Sequence, residues 1–193
     1  MWSTLMSNAL LRDIKKCQIC KDFLPYDPNP IIQFKKSSKI LIVGQAPGVL
    51  AHNSSKPWDD KSGERLREWL GITDKQFYNP SIVALVPMGF CYPGKGKSGD
   101  LPPRKECAEE WMEPVRNYLT NIKLEIYIGK YACDREFGKY GNLTTLIKNQ
   151  YKSKDNKIVL PHPSPRNNIW LAKNRWFEKD ALPYIKRKCR KFL

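Results

Sequence analysis

Four apolar runs set the architecture of this chain: Lys39-Ile40-Leu41-Ile42-Val43, Ile82-Val83-Ala84-Leu85-Val86, Leu124-Glu125-Ile126-Tyr127-Ile128 and Lys157-Ile158-Val159-Leu160. Nearly unbroken β-branched and aliphatic runs of this length belong to strands covered on both faces, as in a parallel sheet; a half-exposed strand would alternate. Between them lie segments with helical spacing. Gly63 to Leu70 sets Leu66, Trp69 and Leu70 on one side, and Lys105 to Leu119, Lys130 to Phe137 and Thr144 to Tyr151 follow. The alternation predicts an α/β fold, a three-layer αβα arrangement around a central four-stranded parallel sheet, formed by a single domain over residues 1–193. Asn8 to Lys16 reads as a further short helix, and the basic tail from Lys186 to Lys191 as a solvated helix end.

Lys and Arg total 34 against 19 Asp and Glu, a formal charge of +15. An excess of that size creates an attractive field for a polyanion and makes nucleic acid the leading partner. An anionic membrane surface would suit the same charge, but no run of about 20 apolar residues is present to span a bilayer. Met1-Trp2-Ser3-Thr4-Leu5-Met6 has no positive charge ahead of its apolar residues, which argues against a secretory signal and for the cytoplasm. In a reducing compartment, cysteines bind metal or do redox work more often than they form disulfides.

The recognisable motifs sit where strands end, the edge at which open parallel sheets gather their ligands. Gly44-Gln45-Ala46-Pro47-Gly48 leaves the first strand as a tight turn whose glycines let main-chain N–H groups approach a ligand. His162-Pro163-Ser164-Pro165-Arg166-Asn167 leaves the last strand. Its prolines fix their own φ and bias their neighbours away from helix, which predicts a stiff, extended, cationic loop, either a wedge for a duplex or a strand-to-helix connector whose histidine is incidental. Gly96-Lys97-Ser98 resembles the end of a phosphate loop, but Cys91 stands where the earlier glycine belongs. That segment is either a cationic loop whose Lys95 and Lys97 touch DNA phosphates or a merely solvated one. Cys17-x2-Cys20 with the distant Cys91 and Cys107 lacks the two short knuckles of a zinc ribbon. Four thiolates from separate segments suit an iron–sulfur cluster; four unconnected buried thiols are the alternative.

Taken together, the Gly44–Gly48 turn, the His162–Asn167 loop and the four cysteines, in this order, resemble the uracil-DNA glycosylase superfamily. The closest likeness is to its bacterial and archaeal branch that carries a [4Fe-4S] cluster, and it runs from about Cys17 to Trp176. The resemblance implies a DNA repair hydrolase that extrudes a deaminated base, uracil first among them, and hydrolyses its N-glycosidic bond. It implies a structural [4Fe-4S] cluster on Cys17, Cys20, Cys91 and Cys107, no cofactor for the chemistry, and a monomer acting on DNA.

The same resemblance assigns roles. His162 hydrogen-bonds the departing base, Trp58 stacks on it, and Gly44, Ala46, Pro47 and Gly48 with Pro87 and Met88 surround it. Stacking of this kind is worth about 1–3 kcal/mol. Ser164, Pro165, Arg166 and Asn167 form the duplex wedge. Relatives carry a carboxylate inside the first turn, where this chain has neutral Gln45 and Ala46, so the water-orienting group is expected to be Asp60, in Asp60-Lys61-Ser62-Gly63, with Asp59 behind it. The alternative for both is a capping carboxylate at the helix that follows. An asparagine that reads uracil in relatives is replaced by Pro87, which leaves base selection to main-chain groups near Pro87, Met88 and Gly89. Gly48 leaves no bulky wall against a thymine methyl. These departures also define the rival reading, a DNA-binding cluster protein of the same fold without catalysis; a zinc-stabilised RNA-binding module fits the charge but leaves the His162 loop unexplained.

Overall fold

The computed structural model describes residues 2–193 and contains the expected sheet. Strands β1 (Ile40–Val43), β2 (Val83–Leu85), β5 (Leu124–Ile128) and β6 (Lys157–Leu160) pair in the order β2-β1-β5-β6, every pair parallel. All four residues of β1 are buried, as an unbroken apolar run requires of a strand covered on both sides. Chain order moves outward from β1 in both directions. Right-handed crossovers therefore place the helices after β1 on one face and those after β2 and β5 on the other.

On the first face lie α2 (Val49–Ser54), α3 (Lys61–Leu70) and α4 (Asp74–Phe77). The C-terminal region returns to α3: Trp69 meets Phe177 edge-on with ring centroids 5.0 Å apart. Phe177 opens a π-helical stretch, Phe177–Ala181, that runs into α9 (Leu182–Arg190). The other face carries α5 (Lys105–Tyr118), α6 (Gly129–Phe137) and α7 (Leu143–Gln150), with α1 (Trp2–Lys15) packed on α5. The remaining elements are a two-stranded hairpin, β3 (Lys95–Gly96) with β4 (Gly99–Asp100), and α8 (Asn168–Lys173).

The helix at the N-terminus begins earlier than Asn8. The basic tail is not simply solvated: Ile185 and Cys189 of α9 are buried, and Lys188 donates to the carbonyls of Ser153 and Asp155 at 3.0 and 2.7 Å. Its charges occupy one side of a helix whose other side belongs to the core, a pattern hidden by the run of lysines and arginines. Edge strand β2 is covered rather than left open. Gln33 exchanges main-chain hydrogen bonds with Leu85 and sends its side-chain amide to the carbonyls of Phe77 and Val83, which blocks pairing with another chain.

Candidate active site

Parallel strands all deliver their following loops to one edge, and a cavity of about 500 Å³ opens there. Gly44–Gly48 after β1, Pro87 after β2, and His162, Ser164, Arg166 and Asn167 after β6 line it together with Trp58, Asp60, Ser62 and Tyr131. Residues distant in sequence thus share one wall because their strands share one sheet.

Trp58 is fixed by an unusual piece of backbone. Its φ of 56° lies in the left-handed region, costly for a bulky residue, and such conformations persist only where the surroundings over-determine them. Here the carbonyl of Trp58 accepts from Arg67 Nη1 and from the Tyr78 hydroxyl, both at 3.3 Å. Arg67 is itself buried and paired through Nε with Asp74 at 2.8 Å. Gly63 lets this loop close: a Cβ there would stand 1.8 Å from the Trp58 carbonyl oxygen. Gly44 makes room for the ring, since its Cβ would lie 2.8 Å from Trp58 Cζ2. The indole then faces His162, ring centroids 5.8 Å apart and planes tilted by 32°. Sequence reasoning missed Arg67, because an arginine within an amphipathic helix carries no signal that it will turn inward.

Asp60 does two things at once. Its Oδ1 accepts the Gly63 N–H at 2.7 Å and caps α3, while the residue lines the cavity near enough for its charge to act on His162. The capping alternative is therefore correct for Asp60 without removing it from the site. Asp59 lies outside the cavity lining and pairs with Lys56 at 3.3 Å, and hydrogen bonds from Ser54 and Lys56 hold its carboxyl below the usual range.

The His162 loop is extended only as far as Ser164. Pro165–Asn167 then coils into a 3-10 turn capped by the Ser164 hydroxyl, because a proline at the first position of a helical turn is pre-set for it. Asn167 Nδ2 ties back to the His162 carbonyl at 2.7 Å, and Arg65 from α3 donates to the Ser164 carbonyl and to Asn168 Oδ1. Ser164 N–H donates to His162 Nδ1 at 3.2 Å. With Nδ1 accepting, the neutral imidazole carries its proton on Nε2 and presents it as a donor. Burial lowers the pKa of His162, and the nearby Asp60 charge only partly opposes this.

Several expected contacts are rearranged. Arg166 lies back along the hairpin, donating to the Ser98 carbonyl at 2.7 Å above Gly99, whose φ is +142° and whose Cβ would stand 2.3 Å from the guanidinium. Lys95 and Lys97 are exposed on that hairpin and do not line the cavity. Met88 is buried and also outside the lining, since its N–H is drawn to the Gly44 carbonyl at 2.9 Å. Gly89 N–H similarly donates to the Gln45 carbonyl at 3.0 Å, and Pro87 has no N–H to offer. The N–H groups of Met88 and Gly89 are thus engaged in joining β2 to the first turn, which leaves this segment its carbonyls. The Gln45 side chain extends to the hairpin, its amide 3.4 Å from the Leu101 carbonyl. The hairpin brings Ser98, Gly99 and Asp100 into the lining, none of them expected from the sequence, and Asp100 is the ionisable one of the three.

Away from this cavity, Cys17, Cys20, Cys91 and Cys107 line a second, smaller pocket with Pro28, Pro30, Phe90 and Trp111. Two of the sulfurs meet a donor, Cys17 from Trp111 Nε1 and Cys107 from the Phe90 N–H, both at 3.3 Å. Among the described residues no three His, Cys, Asp or Glu side chains converge to hold a metal ion. Burial pushes the Cys91 thiol up to about 11 and the Cys107 thiol up to about 12, so neither is a nucleophile at neutral pH on its own. Cys133 and Cys189 are buried elsewhere in the core.

The depressed His162 has a measurable consequence. Just below pH 6.5 the unfolded chain takes up the proton first, so stability is lost as the pH falls there, until the folded imidazole titrates as well. In an NMR titration, assigned with His162→Gln, the His162 resonances are expected to shift with a midpoint below 6.5. A midpoint above that value would contradict the geometry described.

Residues 31–186 match the family model of the uracil DNA glycosylase superfamily, a span that includes the sheet, the cavity and two of the four pocket cysteines. No helix among the described residues is long and apolar enough to cross a membrane. With its four-stranded parallel sheet and its conjunction of turn, tryptophan and histidine loop at the strand ends, the chain belongs to the uracil DNA glycosylase superfamily and so to the glycosylase-type hydrolases that act on DNA.

Proposed function

We propose that this protein excises a deaminated base from DNA, uracil among its substrates, and leaves an abasic site. The observation that carries the reading is the pairing of a neutral, Nε2-protonated His162 with Trp58 across one wall of the cavity. A base inside a duplex is out of reach, so it is extruded and its face lies on the indole. The C1′–N bond then breaks, leaving its electron pair on the base and positive character on the sugar. His162 Nε2–H donates to the base oxygen on which that negative charge collects, and its donor direction is already set by the Ser164 hydrogen bond. Water adds its oxygen to C1′ and gives up a proton. Asp60 orients that water through the oxygen not engaged with Gly63, and accepts the proton. Ser164–Asn167 stands at the cavity mouth to fill the gap in the duplex, and Lys95 and Lys97 on the neighbouring hairpin contact phosphates.

The four-cysteine pocket supports a structural [4Fe-4S] cluster. In such a cluster each thiolate binds a different iron, so the sulfurs ring a space rather than converge on one point, and N–H donors at sulfur offset the cluster's negative charge. Cys17, Cys20, Cys91 and Cys107 would hold it, and its contribution is to tie the N-terminal segment to the start of α5; it takes no part in hydrolysis. Anaerobically purified protein is expected to be brown with about four irons per chain, and Cys107→Ala to lose them. A colourless, iron-free wild-type protein would contradict the cluster.

For the chemistry, labelled strands containing uracil or hypoxanthine are incubated with the protein and then treated with alkali to cut abasic sites. His162→Ala is expected to lower the rate about 10²–10³-fold, the usual effect of removing one transition-state donor. Asp60→Asn keeps the helix cap, because asparagine caps as well as aspartate, and so separates loss of rate from loss of fold. No product from either strand with wild-type protein would overturn the enzyme reading and favour a DNA-binding protein without catalysis, as neutral Gln45 and Ala46 would then imply.

A further inference from the structure

Asp100 places an acidic side chain on the wall of a cavity that, in a chain of charge +15, receives a polyanion. A carboxylate there repels phosphate, and the chemistry of His162 and Asp60 does not use it. Its position is nevertheless firmly determined. Asp100 ends the hairpin, opposite Lys95. The hairpin is held by Arg166 on the Ser98 carbonyl at 2.7 Å, by Leu101 N–H on the Gly94 carbonyl at 2.8 Å and by the Gln45 amide. The carboxylate leans over the first turn, with Oδ2 3.6 Å from the point where a Cβ on Gly48 would stand. A Cβ at residue 48 would thus meet Asp100 at ordinary van der Waals distance, which places the carboxylate beside the first turn.

Its chemistry is that of an uncommitted acceptor. Among the described residues its carboxylate makes no hydrogen bond; the residue is exposed at the hairpin end, and partial desolvation of the carboxyl, opposed by the Arg166 charge and aided by that of Asp60, raises its pKa. The opposite requirement, a reader for the base edge, is unmet on the β2 side: Pro87 has no donor, the N–H groups of Met88 and Gly89 are spent, and Gln45 is turned to the hairpin.

Resting on the glycosylase reading above, we propose that Asp100 is the base-reading residue of this site, its carboxylate accepting the ring N–H of the extruded base. A carboxylate is an acceptor only, so it admits bases that carry a lactam N–H. Deamination creates that group: cytosine and adenine present a bare ring nitrogen, which the carboxylate repels, whereas uracil and hypoxanthine present N–H at the same place. Guanine and thymine also carry one, but their pairing in the duplex opposes extrusion. Between the two deaminated bases the carboxylate discriminates further. The uracil N3–H sits between two carbonyl oxygens, each of which faces a carboxylate oxygen with like charge. The hypoxanthine N1–H has a carbonyl on one side and C2–H on the other. Asp100 therefore favours hypoxanthine over uracil.

The test is a comparison of bases rather than a loss of activity. Wild type, Asp100→Asn and Asp100→Ala are assayed for kcat/KM on strands carrying hypoxanthine, uracil or adenine, with thermal melting to confirm that each variant folds. In Asp100→Asn, whose amide offers both a donor and an acceptor, the hypoxanthine-to-uracil ratio is expected to fall about tenfold, within the range one good base contact supplies. Asp100→Ala is expected to lose discrimination between strands with hypoxanthine and strands with adenine. The same variants in a His162→Ala background are compared by fluorescence anisotropy on hypoxanthine, uracil and abasic-analogue strands, which reads base recognition even if no strand is cleaved. An equal fall in kcat on both bases, with unchanged binding ratios, would overturn the proposal and make Asp100 a water-positioning residue. Unchanged ratios and rates would overturn it as well.

Discussion

The site exists because four parallel strands, buried on both faces, must all end at the same edge of the sheet. Strand β1 lies between β2 and β5, so the turn after β1 is flanked on one side by the segment after β2. The hydrogen bonds from Met88 and Gly89 back to the carbonyls of Gly44 and Gln45 continue the β1–β2 pairing past the end of the strands and lock the floor of the cavity. That lock has a chemical consequence. The N–H groups of Met88 and Gly89 that make this floor rigid are withdrawn from the ligand. Side chains reach the cavity from three segments, Trp58–Asp60, the His162 loop and the β3–β4 hairpin, the last two joined through Arg166.

Rigidity is also what the donor role proposed for the histidine depends on. An imidazole serves as a donor to a developing anion only if its proton is on the correct nitrogen and its ring does not turn. Ser164 N–H on Nδ1 settles the first condition, and Asn167, Arg65 and the neighbouring prolines settle the second. Burial keeps the ring neutral at physiological pH, so it donates without placing a full positive charge beside Arg166. Trp58 is held by comparable means. Its left-handed backbone is sustained by the buried Arg67, by Tyr78 and by the absence of a side chain at Gly63.

The sheet, its strand count and its parallel order were legible in the sequence because each strand is an apolar run that has only one stable environment. The turn at Gly44–Gly48 and the loop at His162 were legible because glycine and proline restrict the backbone in ways that survive folding. What could not be read were contacts between residues with no local signature. Arg67 looks like any surface arginine of a helix, and its inward turn depends on Asp74 and Tyr78 arriving from the next segment. Lys95 to Asp100 looks like a cationic loop. Its pairing as a hairpin, which exposes the lysines and turns Asp100 to the cavity, depends on Arg166 from nearly seventy residues later. The engagement of the Met88 and Gly89 N–H groups was unreadable for a related reason: their partners follow another strand, and pairing between strands is invisible in a local segment.

A structure of the His162→Ala protein bound to a duplex with one deaminated base tests the account most directly. The nucleotide is expected turned out of the helix, its base against the Trp58 indole within the cavity and a carbonyl oxygen of the base directed at the space vacated by the imidazole. A duplex lying across this face with the base still stacked and the cavity unentered would contradict it.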